Sequence, residues 1–259
     1  MKTLDFLFLS LCPYNGAVAT IPEIEQFLKR GEAFIKARPT MDDNNKNGRV
    51  FTSALDELNE LTTAFAEAGW DPVHAENFQL YEHPEILEEF PDPILYILQI
   101  FHGTDIPIAY YLQDLLSTTV GPKDADILIA QAKEDAIDPD AAKFSELTRA
   151  YRVLGSVILF CLAHGVDPIR VSELKMAFNE HRFPEQQFAA DTDIKVEYPR
   201  CKERETRLGY KPALYSFLVP SFIALTAHSQ QITGQPRVPA PMLLRQHMQS
   251  LELAAQAAA

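Results

Sequence analysis

Glycine is scarce in this chain, 10 among 259 residues, while alanine and leucine are plentiful; that balance favours helices over a strand-rich fold. Cysteine is equally sparse. Cys12, Cys161 and Cys201 are odd in number, far apart and form no CxxC pair, which excludes a disulfide framework and reads as a reduced, intracellular protein. Positive charge is in deficit. With 23 Lys and Arg against 36 Asp and Glu the formal charge is −13, so nucleic acid is not an expected partner, because phosphate backbones need clustered Lys and Arg. No stretch approaches the ~18 uninterrupted apolar residues of a membrane helix, and no membrane partner is expected. Met1–Cys12 has the outline of a secretion or lipoprotein signal. Asp5 interrupts its apolar run, however, and Leu11 stands where a small residue is wanted, so the expectation is a cytoplasmic protein. A P-loop, HExxH and GxGxxG are all missing, which disfavours kinase, zinc-protease and Rossmann chemistry. None of the seven histidines precedes an Asp, as the ligands of HD-type phosphohydrolases require.

What is there is helical periodicity. The length allows one or two domains, and a hydrophobic fraction of 47% is ordinary for a globular chain. Residues 22–36 repeat apolar positions at helical spacing, with Pro22 suited to a first turn. Arg38 to Gly48 reads as a loop. Val50 to Ala68 is the strongest helix, with Leu55, Leu58, Leu61 and Phe65 as its apolar stripe and Gly69 as its stop. Residues 84–101 form a second helical pattern containing Pro91 and Pro93, either a new helix from about Phe90 or one longer, kinked helix. Further helices are predicted at about 124–136, 141–163, 168–180 and 212–227, with a last one from about Pro241; an irregular stretch follows Pro184. The domain reading is an N-terminal arm (1–21), a helical domain (22–184) and a C-terminal extension (185–259). Within the domain, Ile94–Asp105 resembles Val157–Asp167 around His102-Gly and His164-Gly at an offset of 62. That is either a degenerate repeat (22–122 and 123–184) or two unrelated helices with glycine caps.

The chemistry-bearing residues are acids. Glu57 and Glu60 stand three apart on the strongest helix, so their carboxylates share a side, and Glu89 and Asp92 repeat the spacing. Acids so spaced commonly just solvate a face. Two pairs beside markedly apolar helices instead suit a hard divalent cation, which takes oxygen ligands from carboxylates, water and phosphates. A bound cation would also reconcile an acidic protein with an anionic substrate. Further on, Lys175, Asn179 and Arg182 fall at i, i+4 and i+7, a stripe able to grip phosphate oxygens or simply a solvated face.

These motifs together resemble the all-α nucleoside triphosphate pyrophosphohydrolases, the superfamily of MazG, dCTP pyrophosphatase and dimeric dUTPase. The resemblance rests on Glu57-x-x-Glu60, 28 intervening residues, then Glu89-x-x-Asp92; on Ile94–Leu98 after the aspartate; and on Leu162-Ala163-His164 leading to Lys175-Met176, Asn179, Arg182 and Phe183-Pro184. It covers about residues 50–184. It implies an all-α, MazG-like helical bundle, Mg²⁺ (with Mn²⁺ able to substitute) on Glu57, Glu60, Glu89 and Asp92, and Glu57 or Glu60 acting on the attacking water. Lys175, Asn179 and Arg182 would hold phosphate. The products would be a nucleoside monophosphate and pyrophosphate, and the partners the nucleoside triphosphate and further copies of the chain as a homo-oligomer. Pro91 falls where the family has uninterrupted helix, leaving Glu88 as an alternative ligand to Glu89. About 60 extra residues precede the basic stripe, which a fused pseudo-dimer explains: the first half keeps the acids, the second the basic residues, and one composite site results. For the base, Trp70, Phe183 and Asn59 are candidates, with Phe65, Asn44 and Asn45 behind them; dUTP, dCTP and the purine dNTPs all stay open, with a lean to a purine. The competing expectation is a catalytically degenerate helical module that binds nucleotide or protein. Lys202, Arg204, Arg207 and Lys211 cluster in the C-terminal part, where they either reach a triphosphate or partner, or solvate a loop.

Overall fold

The computed structural model describes residues 19–41, 49–71, 78, 80–137, 145–190, 192–226 and 240–257, and every regular element among them is helical. The N-terminal arm up to residue 18, Cys12, Asn44 and Asn45 lie outside the described residues. Among the described residues no single helix is long and apolar enough to cross a membrane.

Helix α1 (Ile21–Lys36) begins where the Thr20 backbone N–H donates to Glu23 Oε2 at 2.8 Å, with Pro22 in the first turn where its missing N–H costs nothing. Helix α2 (Val50–Glu67) buries Ala54, Leu58, Leu61 and Phe65, each at most 4% exposed, along one stripe; Ala54 rather than Leu55 takes the core position. Truncating Leu58 or Leu61 to Ala removes contacts on every side, a change that costs about 2–5 kcal/mol in such cores. Gly69, at φ +79°, stops the helix in the left-handed conformation.

Pro91 and Pro93 resolve into two helices. Helix α3 (Pro84–Glu89) ends at Phe90, which keeps helical angles (φ −55°, ψ −41°), and helix α4 (Pro91–Leu98) starts at once. Pro91 is its first residue, where no intrahelical N–H bond is required. The chain continues as a 3₁₀ turn, Gln99–Phe101, then α5 (Ile108–Leu116), α6 (Ala125–Ile137), α7 (Glu146–Ala163) and α8 (Pro168–Arg182). Asp167 caps α8 by accepting from the N–H groups of Ile169 (2.9 Å) and Arg170 (3.1 Å).

Helices α2, α4, α7 and α6 pack as a closed ring of four, each against its two neighbours. Outside the ring, α5 crosses α7 and α8 crosses α4. Exchanging α2, α4 and α5 for α6, α7 and α8 leaves this set of packed pairs unchanged. Moreover α4–α5 and α7–α8 correspond at the offset of 62, each pair turning on a left-handed glycine at φ +71°, Gly103 and Gly165.

The polar stretch after Pro184 contains a helix that periodicity did not reveal, α9 (Ile194–Leu208). Asp193 caps it through Lys195 N–H at 3.0 Å, Pro199 lies in its second turn, and Gly209 (φ +68°) ends it. Helices α10 (Tyr210–Thr226) and α11 (Ala240–Ala257) both pack on α8, and α10 also on α3. Tyr210, Leu214, Leu244 and Met248 join the same core as residues of α1–α8. Helix α8 is therefore enclosed by α1, α4, α10 and α11, and it keeps no broad face for water.

Candidate functional site

Four of the expected residues meet where α2 faces the α3–α4 junction. Ligand oxygens of Glu57, Glu60 and Glu89 all lie within 4.8 Å of one another, with Glu60 exposed and the other two half-buried. Because Phe90 keeps helical angles, Glu89 and Asp92 remain one turn apart across Pro91, and Asp92 stands in the first turn of α4. Asp92 Oδ2 takes the ammonium of Lys175 at 2.8 Å, and Asp92 and Glu57 both line the cavity beside the cluster.

Glu88, the alternative to Glu89, points elsewhere. It is 2% exposed; Oε1 lies 3.3 Å from Lys175 Nζ, while Oε2 lies 3.1 Å from Lys211 Nζ and accepts from Tyr215 Oη at 2.8 Å. Burial opposes its charge, but the two ammonium groups and the phenol outweigh that and hold it down at about 2. Glu88 is thus a fully engaged anion inside the protein rather than a member of the cluster.

Lys175, expected to reach for phosphate, is 3% exposed, and its ammonium donates to Asp92 Oδ2, Glu88 Oε1 and the Glu88 backbone carbonyl (3.2 Å). Three donors meet three acceptors, so its bonding capacity is spent on the protein. Burial works against its charge, yet Asp92, Glu88 and Glu89 raise its pKa above the usual lysine value. The Glu57 carboxyl is pushed up to about 8, first by burial, then by Asp92 and Glu60, against the pull of Lys175. Burial likewise lifts Glu89 to about 7, with Asp92 and Glu88 adding to it and Lys175 opposing. Acids held this close resist losing their last protons unless a cation takes the protons' place.

From Glu57 and Asp92 a cavity of about 170 Å³ runs between α1, α4 and α8. Its walls are chiefly apolar and aromatic, including Phe27, Phe34, Tyr96 and Phe183, with Asn179 and Arg182 also on the wall. Arg182 is 6% exposed; its Nε lies 2.7 Å from Glu205 Oε2, but at an angle too poor for a hydrogen bond, and its guanidinium covers the Phe183 ring at 4.7 Å. Of the base-binding candidates among the described residues, only Phe183 lines this cavity. Trp70 packs at the far end of α2 against Phe65, Phe78 and His164, and Asn59 is exposed on α2 outside the cavity.

Sequence reasoning missed Lys211 and Tyr215 as parts of this network. The signal was the basic cluster in the C-terminal part, which lies on helices rather than in a loop: Lys211 opens α10, and Lys202 of α9 stands over the Tyr198 ring at 5.8 Å. Comparison with protein-family models, curated proteins and solved structures finds no match to this chain.

Proposed function

We propose that the chain is a Mg²⁺-dependent nucleoside triphosphate pyrophosphohydrolase of the MazG-like, all-α kind, most simply acting on a deoxynucleotide. The observation that carries this is the convergence of Glu57, Glu60 and Glu89 within 4.8 Å, with Asp92 beside them at the mouth of a cavity. An oxygen-only donor set of carboxylates fits a hard cation such as Mg²⁺ or Mn²⁺ and does not suit zinc, which favours nitrogen and sulfur. The exchange of packed helices between the two halves supports a fused pseudo-dimer with one composite site. Pro91, the feature that most favoured a degenerate module, sits at a helix start and leaves Glu89 in the cluster.

The divalent cation, when bound, would neutralise phosphate oxygens and supply a water of lowered pKa. Glu60, the exposed member of the trio, would orient the attacking water or take its proton, and the products would be nucleoside monophosphate and pyrophosphate. Lys175 fixes Asp92 from inside the protein. The departing pyrophosphate would then meet Lys202, which is exposed, and Lys211, which is 41% exposed, rather than Lys175. The test is pyrophosphate release from each dNTP and NTP with Mg²⁺, with EDTA and with Glu60→Gln. Turnover is expected with Mg²⁺ alone, and lost in Glu60→Gln at unchanged melting temperature. Silence across all nucleotides would favour the non-enzymatic module, and full activity in Glu60→Gln would remove the assignment of that residue.

A further inference from the structure

The cavity beside the acids holds polar groups whose hydrogen bonding is unspent. Gln99 Oε1, Asn179 Oδ1 and Arg182 Nη2 are all buried, all without a partner, and all belong to residues lining this one cavity. Arg182 is only 6% exposed. A buried polar atom left without a partner is costly and rare, so three of them on residues that line one apolar cavity point to a ligand that completes them when side chains turn toward it. Tyr198, also on the wall and 41% exposed, lies nearly parallel to the buried Phe183 ring, 16° apart with centroids at 5.6 Å, and offers a flat aromatic surface. A planar ring with polar edges suits such a space.

We propose that this cavity is a nucleobase pocket that selects rings bearing an exocyclic amino group, with Gln99 and Asn179 accepting from the base, Arg182 donating to it, and Tyr198, backed by Phe183, forming the stacking wall. The inference rests on the nucleotide reading above and moves Asn179 and Arg182 from the phosphates to the base. Counting donors gives the selectivity. Two acceptor oxygens need two N–H groups; adenine and cytosine supply both from one amine, and guanine supplies them from its amine and ring N–H. Uracil and thymine have a single ring N–H and would leave one acceptor bare. Arg182 finds a ring nitrogen or carbonyl on any of the three favoured bases. Tyr198 comes from α9, so base choice depends on the part of the chain beyond the motifs that carry the metal.

The test uses the full chain with Mg²⁺ and the non-hydrolysable α,β-imido analogues of dATP, dCTP, dGTP, dUTP and dTTP, titrated calorimetrically. The adenine, cytosine and guanine analogues are expected to bind at least tenfold more tightly than the other two. Gln99→Leu and Asn179→Leu should each shrink that ratio below about threefold, whereas Tyr198→Ala, at a partly exposed position, should weaken all five alike by about tenfold. Circular dichroism melts confirm that each variant is folded. Equal affinities, a preference for uracil or thymine, or a ratio untouched by both leucine variants would overturn the proposal. Pyrophosphate release from the same preparations separates the two readings. Turnover without base preference removes the pocket alone, and base preference without turnover removes the hydrolase while keeping the pocket.

Discussion

Adding Mg²⁺ to the metal-free protein at pH 6 and again at pH 8.5 should give very different responses. Cation binding requires the carboxylates ionised, and with Glu57 at about 8 and Glu89 at about 7 both hold protons at pH 6. Stripping them there costs roughly 2.7 and 1.4 kcal/mol, at 1.36 kcal/mol for each pH unit below the pKa. Near pH 8.5 the cost almost vanishes. The difference of roughly 4 kcal/mol corresponds to about a thousandfold tighter apparent Mg²⁺ affinity at the higher pH, an upper bound for two interacting groups. Stability moves the opposite way in the metal-free chain. A carboxyl whose folded pKa is raised stabilises fully below its unfolded value near 4.5 and loses that contribution as pH rises through 7 to 8. The metal-free melting temperature should therefore fall between pH 5 and 9 from these groups, and the gain on adding Mg²⁺ should widen over the same range. Calorimetric titration in buffers of different ionisation enthalpy counts the protons released, and differential scanning fluorimetry follows stability. A Mg²⁺ dissociation constant that is flat between pH 6 and 8.5, with no protons released, would refute the reasoning.

Three further outcomes follow from the contacts. Lys175→Met removes the cation between Asp92 and Glu88 and should cost about 3–5 kcal/mol in urea unfolding, with part of the loss recovered in Mg²⁺. Tyr215→Phe deletes one bond to a charged carboxylate and should cost about 1.5 kcal/mol by the same measurement, without altering the acid cluster itself. Gly31, inside α1 on the cavity wall, has room for one methyl, since a Cβ there meets Met176 Sδ at 3.6 Å and His102 Nε2 at 3.8 Å. Gly31→Ala should accordingly gain about 0.5–1 kcal/mol, whereas Gly31→Leu should raise KM for the nucleotide at least tenfold and leave Mg²⁺ binding unchanged.

The helices with strong periodicity were legible in the sequence, and so was the acid pair Glu57 and Glu60, because an i, i+3 spacing on an amphipathic helix fixes relative direction. Glu88 and Glu89 could not be told apart that way. Adjacent helical residues point about 100° apart, and which one faces α2 is decided by how α3 packs on α10, more than 100 residues downstream. Lys175 misled for a related reason: Lys175, Asn179 and Arg182 read as a solvated or phosphate-facing stripe, whereas α8 is enclosed on several sides and the partner of Lys175 lies 87 residues away. Helix α9 escaped notice because its sequence is polar, carries Pro199 and buries only Cys201 and Glu205. The aromatic candidates were undecidable, since only packing sets Trp70 against the main core and Phe183 in a small buried cluster with Phe188 and Cys201 that borders the cavity.

The ion network around Glu88 has a consequence for synthesis. A ribosome that has extruded the chain through α8 has already delivered every acid of the cluster together with Lys175. Glu88 at that stage lacks Lys211 and Tyr215, which belong to α10, and α8 lacks the helices that enclose it on that side. Domains generally fold from the N-terminus as they emerge. Here the support beneath the corner that carries the acids is completed late, when α10 docks and Glu88 gains Lys211 and Tyr215.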